Sequence, residues 1–401
     1  MKNWKRILVI VVIGIFLSQL PFIVNRIRTG MLAAKISELE SSRVVHDDMG
    51  YVDYKGAIHV HSFLGGHSTG TFEELIDGAV QNGLHFVVMT EHTSKNFDTS
   101  SKSLDGMHGN VLWLAGNEIG TTSGDRFLVI EGFRDLHSLG KLKTGEMLGR
   151  VKAKGSAAFV TYPERFASWG EEIDGVEVFS LNSNARKMNP FLFLLDAAWS
   201  YRAYPELTLA RYFARPDGEL ELFDSLSRKR KISLFGGNDA HSNIGIHFGD
   251  NANHKVIDLK YDKYSTIFRL VRTHILLGKD ELMTKENVLL RLKQGNSFIG
   301  FDVLGDTSGF RFYASNGIVN AIMGDELVLG QDEWSMHAHS PLPARFVLIK
   351  DGVGILESAE TESIKFLPSS KGTYRVEVFL DALGPPFDKM PWIISNPIYV
   401  R

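Results

Sequence analysis

The first two thirds of the chain contain four short apolar runs, and each run ends in polar side chains. They cover residues 56–61, 85–92, 111–118 and 232–241. Runs of this length are typical of strands that are buried on both faces. Residues 71–80 lie between the first two runs and place apolar side chains at helical spacing behind a threonine that can act as N-cap. Strand patterns that alternate with helix patterns favour an α/β domain.

The longest apolar run lies at the N-terminus. Residues 7–24 contain no charged side chain and follow a cationic segment, residues 2–6. A helix over this run is about 27 Å long, close to the hydrocarbon thickness of a bilayer. We predict a single uncleaved transmembrane anchor over residues 1–30, with the rest of the chain periplasmic or extracellular. Arg26 and Arg28 follow the span, so the charge difference that sets this orientation is small.

Two further segments flank the predicted α/β domain. Residues 31–53 carry mixed charge and are predicted as a short helix plus a tether. Residues 281–401 begin with a leucine-rich helical pattern and continue as short alternating runs between Gly, Pro, Asp and Asn. Such spacing predicts a small all-β, sandwich-like module. His337 and His339 in this module lack acidic partners at neighbouring strand ends, and we interpret them as surface strand residues.

Composition excludes several classes of protein. Of 401 residues, 44% are hydrophobic and 23% charged, which is ordinary for a globular protein with a sizeable core. The net charge is −3, which argues against a polyanion-binding surface, so we expect no nucleic-acid partner. The chain contains no cysteine. A disulfide framework is therefore excluded, and any metal ligand must be nitrogen or oxygen.

Each of the four apolar runs ends in side chains that can bind a metal ion, and a glycine-rich turn after the first run adds one more. These candidates are His59, His61, His67, His92, Glu118, Asp239 and His241. In α/β barrels the functional groups gather at the carboxyl ends of the strands, which is where these residues lie. Zinc, manganese and iron all accept imidazole and carboxylate ligands. The alternative is four unrelated strands whose polar residues mark exits to solvent, which explains one or two such ends better than four.

Four motifs among these residues resemble the successive motifs of the PHP (polymerase and histidinol phosphatase) domain. They are His59-Val-His61, Thr90-Glu-His92, Gly116-Asn-Glu118 and Asn238-Asp-Ala-His241, in the family's order over residues 54–250. The resemblance implies an α/β fold, a distorted seven-stranded TIM-like barrel, which we place at residues 54–280. It also implies two or three divalent metal ions (Zn, Mn or Fe), held by the seven candidates above, and hydrolysis of a phosphate ester. Glu118 would bridge two of the ions.

Two positions depart from the family's pattern. Tyr162 stands before Pro163 where the family commonly has a histidine ligand, and a phenol can instead hydrogen-bond a phosphate oxygen. Glu91 stands where the motif more often has Asp, and we expect it to orient a histidine ligand. Arg165 is our candidate for the phosphate-binding cation at the rim, with Arg186 as second choice.

Together these features predict a membrane-anchored, metal-dependent phosphoesterase that uses a metal-activated hydroxide. Its substrate would be a small-molecule or cell-envelope phosphate ester. Two alternatives remain open. One is a metallohydrolase of a different bond. The other is a metal-stabilised binding protein without turnover, which Tyr162 at a ligand position favours.

Overall fold

The computed structural model describes residues 2–44, 49–131, 139–249, 255–330 and 333–401. The fold is mixed α/β. The helices in these ranges are α1 Lys2–Ser41, α2 Phe72–Gln81, α3 Thr144–Ala153, α4 Leu181–Ala185, α5 Pro190–Ser200, α6 Pro205–Ala210, α7 Asp217–Ser227, α8 Tyr264–Ile267 and α9 Lys285–Gln294.

The strands fall into a part that precedes α9 and a part that follows it. Those of the first part are β1 Tyr51–Val60, β2 Phe86–Met89, β3 Glu91–His92, β4 Gly106–His108, β5 Val111–Leu114, β6 Gly116–Gly120, β7 Arg126–Ile130, β8 Ala157–Val160, β9 Gly175–Ser180, β10 Ser233–Gly237, β11 Gly245–Gly249, β12 Lys255–Lys260 and β13 Arg272–Gly278. Those of the second part are β14 Ser297–Gly300, β15 Arg311–Ser315, β16 Asn320–Ile322, β17 Glu326–Leu327, β18 Ser335–Lys350, β19 Val353–Glu357, β20 Thr361–Phe366, β21 Gly372–Phe379, β22 Ile393–Ser395 and β23 Ile398–Val400.

The apolar runs of the sequence are the buried strands of the first part. Every residue of β2, β5 and β8 is buried, as expected for strands covered on both faces. The predicted helix after the first run is α2. Thr71 caps it by accepting a hydrogen bond from the Glu74 N–H, and the Glu74 side chain accepts from the Thr71 N–H in return. This prediction is confirmed.

Two ladders bring the ends of the apolar runs together. β1, β2 and β5 are parallel neighbours in one sheet. One residue after β2 and one after β5, the chain continues as β3 and β6 in a second sheet of order β10-β9-β8-β7-β6-β3. In that sheet β7 is antiparallel to both of its neighbours, and an isolated parallel bridge joins Val60 to Ala240. Because of the antiparallel pairs and the single bridge, the distorted seven-stranded barrel remains a prediction.

The C-terminal strands do not form a separate sheet. β1 is antiparallel to β13, β13 to β14, and β14 to β22, so hydrogen bonding runs without a break from β1 into the C-terminal strands. The long strand β18 then pairs with β15, β19, β20 and β21. The predicted β module is therefore continuous with the sheet that carries the first histidine pair. The domain boundaries that we placed in the sequence remain predictions.

Helix α1 is longer than the predicted anchor, because it continues through the segment expected to be a tether as far as Ser41. No residue of its most apolar 18-residue window is buried. Thr29 and Leu32, further along, are buried against the globular part. The helix is long and apolar enough to cross a membrane, and the same length and composition near an N-terminus also fit a signal sequence.

Candidate metal centre

Two histidines, His59 and His61, lie side by side at the carboxyl end of β1. His59 has a left-handed backbone (φ 66°), and the pairing of β1 with β2 shifts register between Ile58 and Val60. Such a bulge re-aims side chains at a strand end. His59 and His61 are both buried, with ring centroids 5.1 Å apart.

A single carboxylate oxygen of Glu118, on β6, faces three imidazoles. Its Oε2 lies 3.5 Å from His59 Nε2, 3.5 Å from His61 Nε2 and 3.3 Å from His92 Nδ1. β3 and β6 are parallel and pair His92 with Glu118 in register, so the two side chains lie at one level of the sheet. Backbone pairing between β3 and β6 thus fixes the relative position of His92 and Glu118.

Asp239, which follows β10, faces a second set of imidazoles. Its Oδ1 lies 3.6 Å from His59 Nε2, 3.6 Å from His61 Nε2 and 3.3 Å from His241 Nδ1. The His241 and His92 Nε2 atoms are 3.4 Å apart. Asp239 has a left-handed backbone (φ 45°), a conformation that costs free energy and is concentrated at functional sites.

These donors fit a divalent metal ion. Neither ring nitrogen of His61 has a hydrogen-bond partner within the described residues, nor has Asp239 Oδ1, although all three atoms are buried. Buried polar atoms of this kind are costly unless they are paired or coordinate a metal. Ligand atoms about 2.1 Å from a shared ion lie about 3–3.5 Å apart, which matches most of the spacings between the imidazoles and the carboxylates. The donors form two groups, and within each group the ligand atoms all lie within 4.8 Å of one another. One group is His61, His92 and His241, and the other is His59, His61 and Glu118.

The electrostatics of the site suit a cation. Burial lowers the pKa of His61 to about 3 and that of His92 to about 4, so both imidazoles are neutral and able to ligate. Burial by itself raises the pKa of a carboxyl group. The neighbouring histidines outweigh it for Glu118 and Asp239, and the pKa values of both lie below the ordinary range. The result is two carboxylates, buried and ionised, between imidazoles.

Glu177, on β9, orients His59 from behind. Its Oε1 lies 2.7 Å from His59 Nδ1, and its Oε2 accepts a hydrogen bond from the Thr161 hydroxyl at 2.5 Å. Burial alone would lower the pKa of His59, but the carboxylates of Glu177 and Asp239 raise it well above the ordinary value. With Nδ1 held by Glu177, the Nε2 atom faces Glu118 and Asp239. A carboxylate in this position is the usual partner of a metal-binding histidine.

We expect Glu177→Gln to lower metal affinity by about 10- to 100-fold, because an amide holds the His59 ring in place less strongly than a carboxylate. Titration of metal against a chelator measures the affinity. The control is Glu172→Gln, an exposed glutamate paired with Lys152. Equal affinities in the two variants would contradict this role of Glu177.

Tyr162 lies at the site, where its hydroxyl group is hydrogen-bonded to Asp239. It follows β8 with a left-handed backbone (φ 52°), and its hydroxyl donates to Asp239 Oδ2 at 2.7 Å. Asn182 donates to the same oxygen at 2.8 Å. Burial and the neighbouring carboxylates raise the pKa of Tyr162, so the phenol is neutral. Tyr162 and Asn182 therefore hold Asp239 with its Oδ1 turned towards the histidines.

For Arg165, the expected role in binding phosphate stays a prediction. Its side chain is 67% exposed, lies 3.8 Å from Glu164, and is not among the described residues that line the site. The cations there are Arg126, whose Nη1 donates to Glu118 Oε1 at 2.6 Å, and Arg186, whose guanidinium lies 5.5 Å from the centre of the Tyr162 ring.

Two other predicted residues have different surroundings from those expected. The described hydrogen bonds of Glu91 come from the Ser62 N–H and hydroxyl, at 3.0 and 2.6 Å, and from the Ser103 hydroxyl at 3.1 Å. Glu91 therefore fixes the loop after β1 and does not orient a histidine. His67 is exposed, and its ring centroid lies 4.9 Å from that of His92, at the edge of the cluster.

No family model matches the sequence, and no curated protein is similar to it. Several solved structures are similar to the chain, and two of them have the following low scores. PsfC from Pseudomonas syringae PB-5123 is 13% identical with a TM-score of 0.39, and the match covers 63% of this chain and 94% of PsfC. A two-domain protein from Bacteroides vulgatus ATCC 8482, described as containing a predicted PHP-like metal-dependent phosphoesterase, is 12% identical with a TM-score of 0.39. That match covers 88% of this chain and 96% of that protein. Scores of this size carry no inference about this chain.

A cavity of about 810 Å³ opens beside the cluster. One wall carries His92, Glu118, Arg126, Asp239 and His241. The other wall consists mainly of apolar side chains from the segment that includes α4, α5 and α6, namely Leu181, Met188, Pro190, Phe193, Leu209 and Phe213. A substrate in this cavity would have its reactive group at the cluster and an apolar part against the helices.

Proposed function

We propose that this protein is a metal-dependent phosphoesterase. The observation that carries the proposal is the convergence of imidazoles on two buried carboxylate oxygens. Within the described residues, the ring nitrogens of His61 and the Oδ1 atom of Asp239 have no hydrogen-bond partner. The motif order in the sequence supports the same conclusion. The residues that would hold the ions are His59, His61, His92, Glu118, Asp239 and His241, with His67 at the edge of the cluster.

The protein's own residues divide the remaining work. When bound, divalent ions lower the pKa of a water molecule and neutralise charge on phosphoryl oxygens. Arg126 lines the cavity beside Glu118 and offers a planar cation to a phosphate group. Tyr162 and Asn182 hold Asp239 in place, and Glu177 holds His59. Preorganised side chains of this kind act without rearranging during the reaction.

We further propose that a seven-stranded barrel positions the site. Its strands would be β1, β2 with β3, β5 with β6, β7, β8, β9 and β10. Three backbone contacts that join β1 to the segment after β10 support closure. Asn238 N–H donates to the Ile58 carbonyl at 2.8 Å, Ala240 N–H to the His59 carbonyl at 3.2 Å, and His61 N–H to the Ala240 carbonyl at 3.0 Å.

The test is elemental analysis of the purified full-length protein, coupled to a panel of phosphomonoesters, phosphodiesters and carboxylic esters. We expect two or more equivalents of zinc, manganese or iron, and phosphate-ester hydrolysis that chelation abolishes. His59→Ala serves as the blank. Metal-free protein, or hydrolysis that survives chelation, would contradict the proposal. Activity on carboxylic esters alone would indicate a metallohydrolase that cleaves a bond other than a phosphate ester.

We propose that α1 remains attached and anchors the catalytic part on the outer side of the membrane. The unburied apolar window of α1 supports this proposal. The full-length protein should stay in the membrane pellet after alkaline carbonate extraction, whereas a chain that lacks residues 2–24 should not. A mature N-terminus beyond residue 30, read by mass spectrometry, would show instead that the segment is a cleaved signal.

A further inference from the structure

Helix α5 presents an apolar face to the outside of the protein. Phe191, Leu192, Leu194 and Trp199 are 67%, 48%, 49% and 43% exposed. Its one charged side chain, Asp196, is buried and points inward, where Asn25 and Tyr212 donate to it. Large side chains grouped in this way mark a surface that binds something apolar.

The position of α5 against α1 indicates what covers this face. Trp199 Nε1 donates to Gln19 Oε1 at 3.1 Å, and Asn25 Nδ2 lies 3.4 Å from Asp196 Oδ1. Gln19 is inside the uncharged run of residues 7–24, and Asn25 is at its end. The two are about 9 Å apart along the helix axis. If residues 7–24 lie in hydrocarbon, α5 therefore lies at the depth of the interface, where amphipathic helices bury their apolar face by about 5–10 Å.

Cationic and aromatic side chains mark the same level. The Arg26 guanidinium lies 4.4 Å from the centre of the Tyr204 ring, and Arg28 is exposed two residues further along α1. Arginine at this level favours anionic headgroups, and Trp199 and Tyr204 are of the residue types enriched at the membrane–water interface. The occupant of the outer face of α5 is therefore the lipid bilayer, continuous with the lipid around α1.

The opposite face of α5 lines the cavity at the metal centre, through Pro190 and Phe193. Two of the polar groups that line the cavity, Asp262 and Tyr212, are engaged within the protein. Asp262 accepts from the N–H groups of Asn243 and Ile244, at 2.8 and 2.9 Å, and Tyr212 donates to Asp196. A substrate with a polar tail would find few free partners there, whereas a hydrocarbon chain would need none.

We propose that the substrate is a lipid phosphate ester that enters from the bilayer past α5, with its phosphate at the metal centre and its hydrocarbon against the apolar wall. This rests on the proposed phosphoesterase function. In the reaction, the oxygen of water bonds to phosphorus and the P–O bond to the lipid alcohol breaks. The leaving alkoxide takes up the proton, so that phosphatidate and water give diacylglycerol and phosphate.

The test compares substrates that share a headgroup and differ only in their hydrocarbon. Full-length protein in phosphatidylcholine vesicles is given dioleoyl phosphatidate or glycerol 3-phosphate, then phosphatidylglycerol or glycerophosphoglycerol. For at least one pair we expect kcat/KM to be at least about 100-fold higher for the lipid. Equal or better turnover of the soluble member in both pairs would overturn the lipid assignment. p-Nitrophenyl phosphate and bis(p-nitrophenyl) phosphate report the proposed function itself, so activity on these compounds without lipid turnover sinks the inference and leaves that function standing.

A variant of the outer face tests the route of entry. Phe191→Ser/Leu194→Ser should reduce turnover of the preferred lipid about 10-fold or more, because two apolar anchors leave the interface, and should leave hydrolysis of p-nitrophenyl compounds unchanged. The matched control is Ile318→Ser/Val328→Ser, which removes side chains that are 91% and 71% exposed on the C-terminal part. Unchanged lipid turnover in the α5 variant, or an equal loss on both kinds of substrate, would contradict docking of α5 at the bilayer.

Discussion

Replacing Asp239 by asparagine should abolish hydrolysis, with a loss of at least about 1000-fold, and should remove at least one equivalent of metal from the purified protein. The Oδ1 atom of Asp239 lies 3.3–3.6 Å from His59, His61 and His241 and has no hydrogen-bond partner within the described residues. An amide at this position provides no negative charge to offset a divalent cation, and it can place an N–H group among the imidazoles.

Asp125→Asn is the matched control for this variant. Asp125 is also buried, and it accepts hydrogen bonds from Ala167 N–H and from the hydroxyls of Thr144 and Ser168. Its loss should lower the melting temperature without changing the metal content per folded molecule. Elemental analysis and phosphate release are measured on both proteins. Equal metal content in Asp239→Asn and wild type would show that Asp239 is not a ligand.

Replacing Arg126 by methionine should lower kcat/KM for a phosphate ester about 10- to 100-fold, the usual size of a hydrogen bond to a charged group. The Arg126 side chain is half exposed, beside the cluster, and lines the cavity. One edge of its guanidinium binds Glu118, and we expect the remaining N–H groups to bind phosphate. Arg126→Lys should recover part of the activity, since it keeps the charge but not the planar pair of donors.

Arg165→Met is the control, because Arg165 is an exposed arginine that is not among the described residues lining the cavity. It should retain wild-type kcat/KM. Metal content is measured in all three variants, so that a loss of phosphate binding is separated from a loss of metal. If Arg165→Met is the more damaged of the two methionine variants, the placement of Arg126 at the substrate is wrong.

The sequence was most informative where a backbone rule decides position. Polar residues at the ends of neighbouring strands must meet, because parallel strands share a carboxyl edge. The structure accordingly brings His59, His92 and Glu118 together from β1, β3 and β6. Asp239 joins them because the segment after β10 is hydrogen-bonded to the end of β1.

The sequence was least informative where the position of a side chain depends on a single backbone angle or on a partner far away in the chain. No spacing rule predicts the left-handed backbone of Tyr162. Arg126 reaches Glu118 only because β7 folds back antiparallel on β6. Glu177 and Glu91 are both buried acids, and only the tertiary structure shows which of them contacts a histidine. The continuity of the C-terminal strands with β1 likewise depends on pairing between strands far apart in the chain.

The central claim is that Glu118 and Asp239 share metal ions with the surrounding histidines. Crystals of the full-length protein in detergent, with anomalous data collected at the zinc, iron and manganese edges, test it directly. We predict at least one anomalous peak within about 2.3 Å of His61 Nε2 and of a carboxylate oxygen of Glu118 or Asp239. The absence of any peak at these residues, with the imidazoles hydrogen-bonded directly to the carboxylates, would contradict it.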